Sequence, residues 1–413
     1  MNITDNIRYI GVDDYEIDLF ESMYPVPEGV SYNSYVILDE KTAVMDTVEE
    51  RFYEQWIANL EAALGNRKPD YLIVQHMEPD HSANVLRFAG KYPETVIVSS
   101  QKAFSMMKNF FGTDFENRRI MVAEGDRLSL GKHKFIFLAA PMVHWPEVIM
   151  TYEETEKILF SADAFGKFGA LCKKEEGCSE NEGTVVGERQ RNAEWDNEAR
   201  RYYFGIVGKY GVQVQNLLKK VSKYEVKTIC SLHGPVLNEN LEHYLSLYQT
   251  WASYRPEKEG IVIAYASIYG NTAKAVRILE EKLRQKGYHS IAVYDLARCD
   301  MTKALADAFR YNKLVLASPT YNAGLFPVVN QFISYLTERN YSNRKVAFVE
   351  NGTWAPMVTS LMKKRFEQSK GIVFAEAGLT LLSAVKNEDE AQLEAMAEEL
   401  CACDGSKFQD EMA

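Results

Sequence analysis

Residues 75–82 read QHMEPDHS. Within six positions they bring together His76, Glu78, Asp80 and His81, in a chain with only seven His. All four side chains are metal donors. Three more donors stand further along, and each, like His76, follows a short apolar run: LIVQ before His76, FIFLAAPMV before His144, KILFSA before Asp163, TICSL before His233. From His81 onward these donors lie 63, 19 and 70 positions apart. They can still converge, because strand ends in α/β proteins gather at one edge of the sheet. A single His after a strand is ordinarily structural. Four such ends in one chain point to a shared centre. His76, Glu78 and Asp80 alternate, so an extended loop is expected to present them on one side. His81 then faces elsewhere and can reach a second ion.

This block resembles the HxHxDH signature of the metallo-β-lactamase superfamily, with Glu78 where the second His would stand. A carboxylate in place of an imidazole makes the site harder and more anionic, which moves its preference from zinc toward iron or manganese. Glu78, Asp80 and Asp163 supply three negative charges, and a bridging hydroxide adds a fourth. Two ferrous ions balance that sum, and a neutral core avoids most of the cost of burying charge.

A second constellation lies downstream. IVIAYASIYGNTAKAV is a strand, a turn rich in hydroxyls and Gly, and the start of a helix. Ser267, Tyr269, Gly270, Asn271 and Thr272 can ring a phosphate, helped by the helix N-terminus. The loop holds no Lys or Arg, which argues against a Walker-type nucleotide site. One short phosphate loop suits FMN, and it resembles the loop of flavodoxins. LASPTYNAGLFP, with Ser318, Thr320, Tyr321, Asn322 and Gly324, and VENGTWAP, with Asn351, Gly352, Thr353 and Trp354, resemble the two flavodoxin loops that hold the flavin ring. Trp354 can cover a ring face or simply pack.

The elements that must position these residues fall into two groups. SYRPEKEG, 253–260, is a charged linker. After it, five apolar strands alternate with amphipathic helices up to about residue 403, the rhythm of a doubly wound parallel sheet. Before it, YNSYVILDEKTAVMDT reads as two strands about a turn at Asp39-Glu40, followed by strand–loop–helix units. The expected domains are therefore 1–253 and 260–403. The polar stretch 173–198 reads as an exposed loop leading into a helix. The composition, 46% hydrophobic and 25% charged, is that of a soluble globular protein, and a net charge of −11 disfavours nucleic acid or an anionic membrane as partner. No signal peptide and no apolar run long enough to span a bilayer is present. The six Cys form no CxxC pair, so no rubredoxin-type or zinc-ribbon site is expected. Cys172, Cys178 and the others read as reduced thiols, consistent with a cytoplasmic address.

Taken together, the HxExDH block, the downstream His, Asp and His, and the flavodoxin-like second half resemble the flavodiiron proteins over essentially the whole chain. That resemblance implies an N-terminal metallo-β-lactamase-like αββα sandwich and a C-terminal flavodoxin-like sheet. It assigns one iron to His76, Glu78 and His144 and the other to Asp80, His81 and His233, with Asp163 bridging. It also implies a second-sphere tyrosine at Tyr202 or Tyr203. The implied activity is reduction of O₂ to water or of NO to N₂O, with electrons relayed through FMN from rubredoxin or another separate donor. The implied functional unit is a head-to-tail homodimer, or a dimer of such dimers. Trp145, Phe165 and the Tyr202–Phe204 run can line a cramped gas pocket or belong to the core. The absence of further C-terminal domains leans toward O₂. A dinuclear hydrolase carrying a flavin domain is the rival reading, opposed by Glu78. A pure electron carrier is the third, opposed by the complete ligand set.

Overall fold

The computed structural model describes residues 1–171 and 193–402. Cys172, Cys178, Cys403 and most of the polar 173–198 stretch lie outside them, and that stretch does run into a helix, Ala193–Tyr202. The chain divides into two compact units, Met1–Gln249 and Thr250–Ala413.

In the first unit a six-stranded sheet runs in the order Ile7–Tyr9, Tyr35–Leu38, Thr42–Met45, Tyr71–Ile73, Val96–Ser99, Arg119–Met121. A five-stranded sheet runs Arg127–Ser129, Lys134–Ala139, Ile149–Glu153, Ile158–Phe160, Thr228–Cys230. Alternation along the strands explains the layering. Tyr35, Ile37, Ala43, Met45 and Ile73 of the first sheet share one apolar cluster with Phe135, Phe137, Ile158 and Phe160 of the second. The intervening Val36, Val44 and Leu72 point the other way and are equally buried. The helix Tyr53–Leu64 packs on the Tyr35–Leu38 strand and buries Trp56, Ile57 and Leu60. Both faces of the sheet are thus covered, as in a sandwich with outer helices.

Strand direction decides where loops can meet. Thr42–Met45, Tyr71–Ile73 and Val96–Ser99 are mutually parallel. In the second sheet Lys134–Ala139 and Ile158–Phe160 are both antiparallel to Ile149–Glu153, so they run the same way as each other, and Ile158–Phe160 is parallel to Thr228–Cys230. The runs ahead of His144, Asp163 and His233 therefore leave their sheet at one end.

The second unit holds parallel strands in the order Ile291–Asp295, Lys258–Tyr265, Tyr311–Tyr321, Arg344–Asn351, Ile372–Phe374. Numbered along the unit this is 2-1-3-4-5, the flavodoxin-like order, whose switch point lies between the first and third strands. Helices Asn271–Gln285 and Asp389–Cys401 pack against each other and bury Leu279, Leu283, Leu393 and Met396 against the sheet. The third strand is longer than its apolar run suggests. It continues to Tyr321 and turns back through Asn322 and Ala323 to pair with Gly324–Leu325. Both turn residues take left-handed backbone, φ 49° and 53°, which suits a tight two-residue hairpin.

Candidate metal centre and flavin site

The first donors do not come from one extended loop. Pro79 opens a short helix, Pro79–Ser82, and Glu78 is its last extended residue (φ −60°, ψ 137°). Proline has φ already set for the first helical position and has no N–H to leave unpaired there. Alternation therefore carries only His76 and Glu78, while Asp80 and His81 rise from the first helical turn.

The seven donors nonetheless meet. His76, Glu78, His144 and Asp163 form one group and Asp80, His81 and His233 another, with the donor atoms of each group within 4.8 Å of one another. In the first, His144 Nε2 lies 3.0 Å from both Glu78 Oε2 and Asp163 Oδ2, and His76 Nε2 lies 3.3 Å from Glu78 Oε2 and 3.4 Å from Asp163 Oδ2. In the second, the Nε2 atoms of His81 and His233 are 3.0 Å apart, and Asp80 Oδ2 is 3.1 Å from His81 and 3.2 Å from His233. Asp163 belongs to both: its Oδ2 faces the first group, and its Oδ1 lies 3.5 Å from His81 and 3.9 Å from His233. Asp163 Oδ1 is buried and has no hydrogen-bond partner, and both Asp80 oxygens share that condition. Facing imidazole nitrogens and unpaired buried carboxylate oxygens are what a pair of cations would satisfy. The donors fit two iron ions.

Protonation tells the same story. Burial works against charge on these groups, yet His144 is pushed up to about 9 by hydrogen bonds to Asp163 and Glu78. Against the same burial, Asp163 is pulled below the usual carboxylate range, chiefly by His76, and Asp80 chiefly by His81. In the metal-free chain protons hold together what cations would hold.

A second ring of groups fixes the ligands, and the sequence reading missed it. Glu147 Oε1 sits 2.8 Å from His76 Nδ1 and accepts the Met77 amide at 2.9 Å. The Ser31 carbonyl sits 2.8 Å from His233 Nδ1. A proton on each Nδ1 leaves each Nε2 free to ligate. Asp46, at the end of its strand, accepts the Gln75 amide at 2.7 Å and the His76 amide at 3.4 Å. Burial pushes Asp46 up to about 6, against those hydrogen bonds. His81 differs: its Nδ1 is buried without a hydrogen-bond partner.

Aromatic rings close the site. Phe20 and Tyr202 pack 5.3 and 5.5 Å from the His233 ring, and Trp145 lies 5.3 Å from that of His76. Phe165 stacks on Tyr248 at 4.2 Å. The two expected tyrosines separate here. Burial, then the charges of Asp163, Glu78 and Asp80, hold the Tyr202 hydroxyl protonated, and that hydroxyl is buried without a hydrogen-bond partner. Tyr203 instead packs against Tyr248 and Phe204. Glu21, in the turn between strands Leu19–Phe20 and Tyr24–Pro25, was also missed. Partial burial of its carboxyl, then Glu78, push it up to about 7. His133, His243 and His289 are in neither donor group. His133 pairs with Glu153 at 3.0 Å and His243 with Asp196 at 2.9 Å.

In the second unit the three expected loops leave neighbouring strand ends. Ser267 Oγ accepts the Gly270 amide at 3.1 Å, and Gly270, at φ 89°, starts the helix Asn271–Gln285 without a side-chain cap. The first helical N–H groups are left for an anion. Asn271 is half-buried beside them. Some expected residues face inward. Thr272, Ser318 and Asn351 are buried, and Asn351 Nδ2 reaches the Ser383 carbonyl at 3.0 Å and Thr272 Oγ1 at 3.4 Å. Thr320 Oγ1 accepts the Met357 amide at 3.3 Å and so joins two of the loops. Tyr269 and Trp354 are 93% and 89% exposed, and Tyr321, Asn322 and Thr353 are exposed beside the half-buried Gly324 and Gly352.

The class defined by this fold and these sites is a metallo-β-lactamase-like domain with a dinuclear donor set, followed by a flavodoxin domain. An ODP family beta lactamase model matches residues 30–234 and a flavodoxin domain model matches 262–378, the latter implying FMN. Proteins that this chain is similar to over nearly its whole length include nitric oxide reductases and flavodiiron proteins. The chain is 28% identical over 391 residues to a nitric oxide reductase of Moorella thermoacetica, covering 94% of each chain. It shares its fold with rubredoxin oxygen:oxidoreductase of Desulfovibrio gigas (TM-score 0.86, 24% identity, 97% of each chain). The same holds for the flavodiiron protein of Giardia intestinalis (TM-score 0.85, 23% identity, 96% of each chain). Among the described residues no helix is long and apolar enough to cross a membrane.

Proposed function

We propose that the chain is an oxidoreductase that reduces O₂, NO or both at a pair of iron ions, using electrons delivered through FMN from a separate donor such as rubredoxin. The observation that carries this reading is Asp163, whose two oxygens face two separate donor groups. Iron would be held by His76, Glu78 and His144 on one side and by Asp80, His81 and His233 on the other. FMN would be held by its phosphate at the 267–272 turn and by its ring between the 318–324 and 351–354 segments. Bound together, the two groups supply redox equivalents and open coordination positions.

The chain's own residues do the rest. Glu147 and the Ser31 carbonyl hold two imidazoles in the tautomer that ligates. The aromatic wall of Phe20, Trp145 and Tyr202 limits the site to small, weakly polar substrates. The Tyr202 hydroxyl, protonated and without a partner, is placed to donate a hydrogen bond to a small bound substrate. A head-to-tail homodimer is the functional unit in this reading, so dilution to a monomer should stop gas reduction while leaving flavin reduction intact.

The deciding experiment combines metal and flavin analysis of the purified chain with anaerobic turnover of the reduced protein against each gas. About two iron and one FMN per chain are expected from the donor set and the single phosphate turn. Oxidation by O₂ without hydrogen peroxide release, or by NO with N₂O formation, supports the reading. Stoichiometric zinc with hydrolase activity and no gas reduction overturns it.

A further inference from the structure

Asn351 is the last residue of the strand Arg344–Asn351, and the second ring loop begins with it. Its side chain is nonetheless turned inward, with the residue 8% exposed. The Ser383 carbonyl, 3.0 Å from its side-chain nitrogen, decides which way the amide points. A carbonyl can only accept, so the NH₂ group must face it. The same nitrogen reaches Thr272 Oγ1 at 3.4 Å. Thr272 must accept there, because an amide NH₂ group only donates. The Thr272 O–H is then directed away from Asn351. Among the described residues no group accepts from that hydroxyl. Thr272 is the second residue of the helix Asn271–Gln285, beside the first-turn N–H groups that suit a phosphate, so its hydroxyl adds a donor to theirs.

The anchor of this chain is itself strained. The Ala384 amide donates to the Leu382 carbonyl at 3.2 Å across Ser383, which takes left-handed backbone at φ 75°. A three-residue turn with positive φ is a rare and costly form. Such strain persists only where the surroundings enforce it. Here the Gly352 amide donates to the Leu381 carbonyl at 3.1 Å while Asn351 holds Ser383, so the turn is fastened to the ring loop at two points.

We infer that Asn351 is a positioning residue for the flavin phosphate and not a contact of the ring: its amide, fixed by Ser383, orients the Thr272 hydroxyl so that its proton faces the phosphate. Hydrogen bonds in such a chain polarise one another. The inference rests on the FMN reading above.

The test is equilibrium binding of FMN and of riboflavin, which lacks the phosphate, to the flavin-depleted full chain in a buffer free of oxyanions. The ratio of the two affinities isolates the phosphate contribution, since changes at the ring act on both. The wild type is expected to prefer FMN. Thr272→Val should lower the ratio about tenfold, and Thr272→Ser, which keeps the hydroxyl, should retain it. Asn351→Leu, neutral and of similar size, should lower it about fivefold by acting through Thr272 alone. With Asn351→Leu in place, Thr272→Val should therefore cost much less than it does by itself. Asn351→Asp supplies a second background. A carboxylate can only accept, so the Thr272 hydroxyl turns toward it, and there Thr272→Val should leave the ratio unchanged or raise it. If the wild type shows no preference for FMN, the phosphate site fails and this inference with it. If the wild type prefers FMN but Asn351→Leu keeps the wild-type ratio, only the positioning role is lost. The same follows if Thr272→Val leaves the wild-type ratio intact or lowers it equally in all three backgrounds.

Discussion

The metal centre and the flavin cradle use opposite strategies. At the centre, seven donors from four separate segments are held in a buried cluster, and two of them, His76 and His233, are fixed again from behind by Glu147, Asp46 and the Ser31 carbonyl. At the cradle, the buried side chains Thr272, Ser318 and Asn351 shape the loops, while Tyr269 and Trp354 stand in solvent. The difference follows from what each ligand is. Unlike charges must be gathered before a metal arrives, and like charges must be kept from parting, so the protein invests in a rigid outer ring. A flavin brings its own large rigid surface and a phosphate, so backbone N–H groups and an exposed aromatic suffice.

This contrast predicts unequal costs. Asp163→Ala should nearly abolish iron binding at both positions while leaving FMN content unchanged, because it removes the donor that, among the described residues, the two groups share. Full iron retention, measured by elemental analysis, would break the shared-bridge assignment. Glu147→Gln should weaken iron affinity by about 10–100-fold without touching a ligand, since it loosens His76 from behind. An unchanged iron affinity in a competition with a chelator would mean the outer ring is ornamental. Proton release should be smaller but measurable. His144 is held up to about 9 in the metal-free chain against 6.5 unfolded. Its interaction stabilises the metal-free fold fully below 6.5 and is lost as pH rises through 9. Iron must displace that proton, so affinity should climb by about tenfold per pH unit between 7 and 8.5 from this residue alone. A pH-independent affinity would show that His144 is not the site of the displaced proton. Trp354→Ala should cost the least, about tenfold in FMN affinity with iron content unaffected. A loss of iron in that variant would refute the independence of the two sites.

The two regions also differed in how far the sequence revealed them. The strands and helices of the second half were legible because buried parallel strands are continuous apolar runs and their crossover helices are amphipathic. The metal donors were legible because each follows an apolar strand, so chemistry and placement share one local signal. Glu147 and Ser31 carry no such signal, and Asp46, which does end an apolar strand, gives no sign in sequence that it turns to the backbone of Gln75 and His76. They act from positions remote in sequence, and one of them acts through a main-chain carbonyl that no residue type encodes. The helical turn at Asp80 was readable from Pro79, but the alternation of His76, Glu78 and Asp80 suggested an extended loop instead. In the second half, Asn351 and Thr272 look like ligand-binding polar residues in sequence, and only burial reveals that they contact each other.

Gly270 has a practical consequence at the bench. A helix of 15 residues that begins on a glycine offers its first N–H groups to whatever anion is present, whether or not a flavin is attached. Inorganic phosphate and sulfate should therefore occupy that turn in flavin-free protein and stabilise it against heat in proportion to their concentration. An FMN titration run in phosphate buffer would then measure an exchange of one phosphate for another and report a weaker affinity than the same titration in a buffer without oxyanions.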